Sequence, residues 1–119
     1  MKLDKADSLF SLYIRTFYNW TCQRCKTKYP ENSKGLHCSH FFGRQNENTR
    51  YDPENCIALC WGCHQRWDER NREEYREFKI KQLGEKGFKA LRIRADLYKK
   101  KDRKLSYIII KQLWKILTQ

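Results

Sequence analysis

Acidic residues are scarce in this 119-residue chain: 14 Asp+Glu stand against 26 Lys+Arg, a formal net charge of +12. So large an excess favours a polyanionic partner, most simply nucleic acid. Long apolar runs are also missing. None approaches the roughly 20 residues needed to span a bilayer, so no membrane partner is expected. The opening MKLDKADSLF carries acidic residues and no apolar stretch, and it does not read as a secretory leader. There are no repeats, and the single biased tract is the basic LYKKKDRK at 97–104, read as a hinge or a phosphate-contacting strip. The length allows one small domain with a helical extension.

Six cysteines are present, but their spacing does not suggest a disulfide scaffold. Cys22-Gln-Arg-Cys25 and Cys60-Trp-Gly-Cys63 are two CxxC knuckles, each with the bite of a zinc chelate. Without an export signal the expected compartment is reducing, where structural disulfides are rare. The four cysteines are therefore the expected ligands of a structural Zn2+. Cys38 and Cys56 are left over and read as small buried residues. A long insert separates the knuckles, and it contains HCSHFFGR at 37–44.

The hydrophobic pattern orders the elements. Leu9, Phe10, Tyr13, Ile14, Phe17 and Trp20 recur at helical steps, which predicts an amphipathic helix over 4–20. Leu36, Cys38, His40 and Phe42 alternate, as in a short strand over 35–42. Residues 43–54 read as a polar loop, 55–60 as a second strand, and the second knuckle as the start of a helix carrying His64 and Trp67. Asn71 and Glu74 have the spacing of a capping box, opening a helix with Tyr75, Phe78 and Leu83 that Gly84 would close. Phe88, Leu91 and Ile93 suggest a further short helix. Leu105, Ile108, Ile109, Leu113, Ile116 and Leu117 make a final stripe, with Trp114 beside it. That stripe either packs back on the first helix or pairs two chains as a homodimer.

Within this order His40, Asn55 and His64 fall as H…N…H inside a split CxxC frame. The order resembles the zinc-braced ββα-metal, or HNH, nuclease arrangement. Phosphodiester hydrolysis needs a base to activate water, and a strand-borne His40 suits that role. It also needs a hard divalent ion, Mg2+ or Mn2+, to stabilise charge at the phosphate and leaving oxygen. His64, on the following helix, is the candidate ligand, and Asn55 the residue that ties down the loop. The expected fold class is therefore α+β: a core with its leading helix over 1–70 and a helical extension over 71–119, both in one compact unit.

CSHFFGR, RYDPEN, LCWGCH and EEYREFKIKQLGEKGF, over about residues 20–92, resemble the phage NinG/Rap family of recombination endonucleases and its small HNH-like relatives. The resemblance implies DNA endonuclease activity, with branched recombination intermediates as one substrate. It implies a structural zinc on Cys22, Cys25, Cys60 and Cys63, with His40 as general base, Asn55 as middle asparagine and His64 as metal ligand. The setting it implies is cytoplasmic, that of the bacterial host. One departure stands out: many HNH proteins carry an aspartate ligand just before the base, and here that place is Ser39. His37 or Asp52 is the candidate replacement. Arg44, Arg50, Arg66 and Arg70 are the expected phosphate contacts, with Tyr51 and Trp67 either stacking on unpaired bases or packing in the core. A zinc-stabilised DNA-binding protein without cleavage is the alternative reading, and an interaction adaptor using the final helix a third.

Overall fold

The architecture is that of a computed structural model, which describes residues 4–97 and 100–119. Part of the basic tract at 97–104 lies outside the described residues. Helix α1, Lys5–Phe17, is opened by a full capping box: the Asp4 side chain accepts from Asp7 N–H, and the Asp7 side chain accepts from Asp4 N–H. It ends three residues short of the expected 20, because Asn19 and Trp20 take left-handed φ values of 54° and 56°. That turn swings Trp20 out of the helical register and into the core, where it is 4% exposed.

Strand β1 is Leu36–His40 and strand β2 is Cys56–Cys60, paired antiparallel with Leu36 opposite Cys60 and His40 opposite Cys56. Pro53–Asn55 is a 3-10 turn leading into β2, with proline at its first turn, where no donor is lost. Helix α2, Trp61–Gln65, follows β2 directly and runs into a π-helical turn, Arg66–Arg70. Helix α3, Arg72–Asp96, is broken at Gly84, whose φ of 76° and ψ of 164° suit only glycine. Helix α4 is Arg103–Thr118.

The hairpin is the layer between two hydrophobic clusters. On one side Trp20, Leu36, Phe41, Ile57, Leu59, Trp67, Tyr75 and Phe88 pack together. On the other, Phe10, Tyr13, Ile14, Cys56 and Ile110 join α1 to β2 and α4. Ile57, Ala58 and Leu59 are wholly buried, so β2 is covered on both faces. A buried aliphatic side chain of this kind contributes about 2 kcal/mol.

Two expected features change. The Asn71 capping box is only half formed: Asn71 accepts from Glu74 N–H, but the Glu74 carboxylate turns to Arg24 and Trp67 instead of Asn71 N–H. The final stripe is also rotated. Helix α4 packs on α1 through wholly buried Ile110, with Tyr107, Leu113, Trp114 and Leu117 around it. Leu105, Ile108, Ile109 and Ile116 of the expected stripe lie on the exposed side. The run Ile108-Ile109-Ile110 is apolar all round, so periodicity alone does not select its inner face.

Candidate metal centres and histidine cleft

The two knuckles meet. The Sγ atoms of Cys22, Cys25, Cys60 and Cys63 lie within 4.8 Å of one another, and those of Cys25 and Cys60 are 3.9 Å apart. Sulfurs bound to zinc at about 2.3 Å in a tetrahedron lie about 3.8 Å apart, so the cluster is compatible with a structural Zn2+. Backbone hydrogen bonds hold the cluster in place. Cys22 N–H donates to Thr27 O at 2.9 Å, and Lys26, at a left-handed φ of 64°, donates to Cys22 O at 2.9 Å. Gln23 N–H donates to Ala58 O at 2.9 Å, stitching the first knuckle to the strand that ends in the second. Arg24 braces the centre: Nη1 lies 3.5 Å from Cys63 Sγ and Nε donates to Glu74 at 2.7 Å.

His40 closes β1. Its Nε2 lies 2.9 Å from Arg50 O. A carbonyl only accepts, so Nε2 carries the hydrogen and Nδ1 keeps a lone pair. Burial, reinforced by the charges of Arg44 and Arg50 against the opposing Arg50 carbonyl, pulls the His40 pKa down to about 4. The ring is therefore neutral at neutral pH.

The loop behind it is held from inside. Asn55 is wholly buried: its Oδ1 accepts from Phe42 N–H at 2.8 Å, and its Nδ2 donates to Phe42 O at 2.9 Å and Thr49 O at 3.1 Å. Asn55 thus spans both ends of the 42–49 loop, and it is not among the residues that line the cleft of His37 and His64. Arg50 departs from the expectation of a phosphate contact. It is 2% exposed, and its Nε and Nη2 donate to the two Asp7 oxygens at 2.7 Å each. Nη1 donates to Arg44 O, and Tyr51 OH donates to Asp7. The guanidinium is consumed by the fold.

His37 and His64 face each other, Nδ1 to Nδ1, at 3.1 Å. The other nitrogen of His64, Nε2, lies 2.9 Å from Asp68 Oδ2. Two ring nitrogens so close need a shared proton or a cation between them. About 3 Å is also the spacing of two adjacent ligands on an ion with metal–nitrogen distances near 2.1 Å. The carboxylate behind His64 is the outer partner that metal-bound imidazoles commonly have. Burial, then the neighbouring His64, lowers the His37 pKa. The two alternatives to the missing aspartate therefore separate. Asp52 is spent elsewhere, capping Glu54 N–H at 3.0 Å and accepting from Arg94 at 2.8 Å. Ser39 is wholly buried, with its hydroxyl 2.9 Å from Tyr75 OH.

His37, His40 and His64 line one cleft of about 500 Å3, together with Asp68 and the cationic Arg15, Lys34 and Arg44. Arg44 is exposed, as are Arg66 and Arg70 beyond the cleft. Trp67 is 3% exposed and stacks on Tyr75 with centroids 4.8 Å apart, so it is a core residue and not a base platform. Sequence reasoning missed Asp68, Arg15 and Lys34. Asp68 carries a readable signal, one helical turn beyond His64. Arg15 and Lys34 reach the cleft only through the fold.

No protein-family model, curated protein or solved structure matches the chain.

Proposed function

We propose that this chain is a metal-dependent DNA endonuclease with a zinc-braced ββα-metal (HNH-like) core. The observation that carries the reading is the convergence of His37, His40 and His64 on one basic cleft. The hairpin between the knuckles supplies the two strands, and α2 with its π-turn the helical part.

In this reading His40 Nδ1 takes a proton from the attacking water, while Nε2–H, fixed on Arg50 O, sets ring and tautomer. His37 and His64 would hold a divalent ion, which when bound stabilises charge on the phosphate and leaving oxygen. Asp68 orients His64. Arg15, Lys34 and Arg44 hold the phosphodiester without reading sequence. Asn55 keeps the loop closed behind His40 and is a positioning residue. Branched recombination DNA is the preferred substrate by resemblance to the NinG/Rap endonucleases. Paired cuts would need two chains, and the exposed side of α4 is the face on which to pair them.

One observation favours a second reading, a DNA-binding protein without cleavage: Ser39, where other HNH proteins place a carboxylate ligand, turns to Tyr75. Incubation with plasmid and with a four-way junction, in Mg2+ or Mn2+, separates the two. Cleavage that disappears in His40→Ala, with DNA affinity kept, is the expected result. Binding without cleavage under both metals selects the second reading.

A further inference from the structure

Two thiols that belong neither to the four-cysteine centre nor to the His37–His64 pair stand beside His40 of the histidine cleft. Cys56 sits opposite His40 in the hairpin, and Cys38 is two residues from His40 on the same side of β1. The Cys38 and Cys56 sulfurs and one ring nitrogen of His40 all lie within 4.8 Å of one another. Paired strands hold all three, so little freedom is lost on binding an ion. Cys56 is wholly buried, whereas Cys38 and His40 are half-buried. These two open onto a smaller cleft of about 240 Å3, which leaves room for a water or a fourth ligand.

We propose that Cys38, His40 and Cys56 form a second metal site, distinct from the four-cysteine centre, for a thiophilic ion of the zinc class. The His40 tautomer fits: a metal-binding imidazole commonly donates its other N–H to a carbonyl, as Nε2 does to Arg50. Charge fits as well. Two thiolates and a neutral imidazole offset the charge of a divalent ion, so a filled site adds no net charge beside Arg15 and Arg44. Burial holds the Cys56 thiol well above its ordinary pKa, and the nearby Lys79 charge opposes that only in part, so a bound ion has to displace the thiol proton. Thiolates select zinc or cadmium over magnesium or manganese, so the site ignores the hard ion expected between His37 and His64.

Filling the site occupies the His40 lone pair. Zinc is then an inhibitor of the chain's own base. This second half rests on the proposed nuclease reading, whereas the binding half does not.

The test starts from protein holding one zinc in its four-cysteine centre and titrates it with Co2+, reading thiolate-to-cobalt absorption, and with Zn2+ against a chromophoric chelator. Wild type should take up a second equivalent with thiolate absorption. Cys38→Ser, which changes a half-exposed residue, should keep the first zinc and its fold yet lose the second thiolate-bound equivalent. His40→Ala should lose it too. A wild type that gains no thiolate-to-cobalt absorption beyond that of the first ion, or a Cys38→Ser variant that gains it in full, overturns the site. In cleavage assays with Mg2+, stoichiometric zinc should slow the wild type about a hundredfold or more and leave Cys38→Ser unaffected. Equal inhibition of both proteins overturns the regulatory half. A second zinc bound by a chain that cuts nothing keeps the site and removes the nuclease reading instead.

Discussion

His40 hangs its ring on Arg50: Nε2 donates to the Arg50 carbonyl at 2.9 Å, while Arg50 is clamped by both carboxylate oxygens of Asp7 at 2.7 Å. A helix capping residue, a loop arginine and a strand histidine therefore form one connected unit.

Asp7→Asn tests that unit. Breaking a buried pair strands its partner, and the expected cost is about 3–5 kcal/mol in urea denaturation at neutral pH. Burial would raise the Asp7 pKa, but Arg50, the Asp4 backbone and Tyr51 overcome it and hold the carboxyl well below its usual range. The folded value lies below the unfolded one. The pair's contribution is thus complete above about pH 4 and is lost as pH falls through the folded value. The stability gap between wild type and Asp7→Asn should narrow only below about pH 4.

The zinc centre should carry folding directly. Cys25→Ser removes the exposed ligand of the four, and the variant should lose most of its folded population. Chelator treatment of wild type should do the same, followed by helical circular dichroism and restored by added zinc. A chelated chain with unchanged melting would remove the structural metal.

Arg44 and Arg50 should behave oppositely, although both are arginines of the same loop. Arg44→Ala should fold normally, bind DNA more weakly and lower the log–log salt slope by about 1 for the lost phosphate contact. Arg50→Ala should instead destabilise the fold. Binding isotherms at several salt concentrations, with a melting curve for each variant, measure both effects.

Helix α4 offers a similar contrast. Ile110 is wholly buried, and Ile110→Ala should cost about 2–5 kcal/mol. Ile109 and Ile116 are 51% and 66% exposed, so Ile109→Glu and Ile116→Glu should leave the monomer's stability nearly unchanged. If the outer face pairs two chains, the same changes halve the mass in sedimentation. A wild type that is monomeric at all concentrations ends that proposal.

Lys79 is wholly inside, and burial pulls its pKa down to about 8. Between about pH 8 and the ordinary lysine value near 10.4 the unfolded chain binds more protons than the folded one. Over that window wild type should gain stability relative to Lys79→Met as pH rises. Paired denaturation curves at pH 7.5, about, and near pH 10 give the difference.

What the sequence made legible follows from locality. The knuckles could be read because zinc imposes a fixed spacing within each CxxC. Asn55 could be read because the loop it closes is its own neighbour in the chain. Arg50 could not: it stands in a polar tract, and its partner Asp7 is 43 residues away. Ser39 likewise turns inward because of Tyr75, 36 residues on, which no strand alternation reveals. The first helix was overextended because Trp20 keeps helical spacing while its backbone leaves the helix.

The bond from Gln23 N–H to Ala58 O has a bearing on the metal-free chain. It covers one edge of β2, whose Cys-Ile-Ala-Leu-Cys run is uncharged and apolar at its centre. If the four cysteines hold zinc, its loss would free the first knuckle and leave that edge open. An open apolar strand edge is a template for pairing with another chain. If the cluster holds zinc, the metal-free chain should self-associate through β2 in competition with simple unfolding, and zinc supply would govern solubility as well as stability.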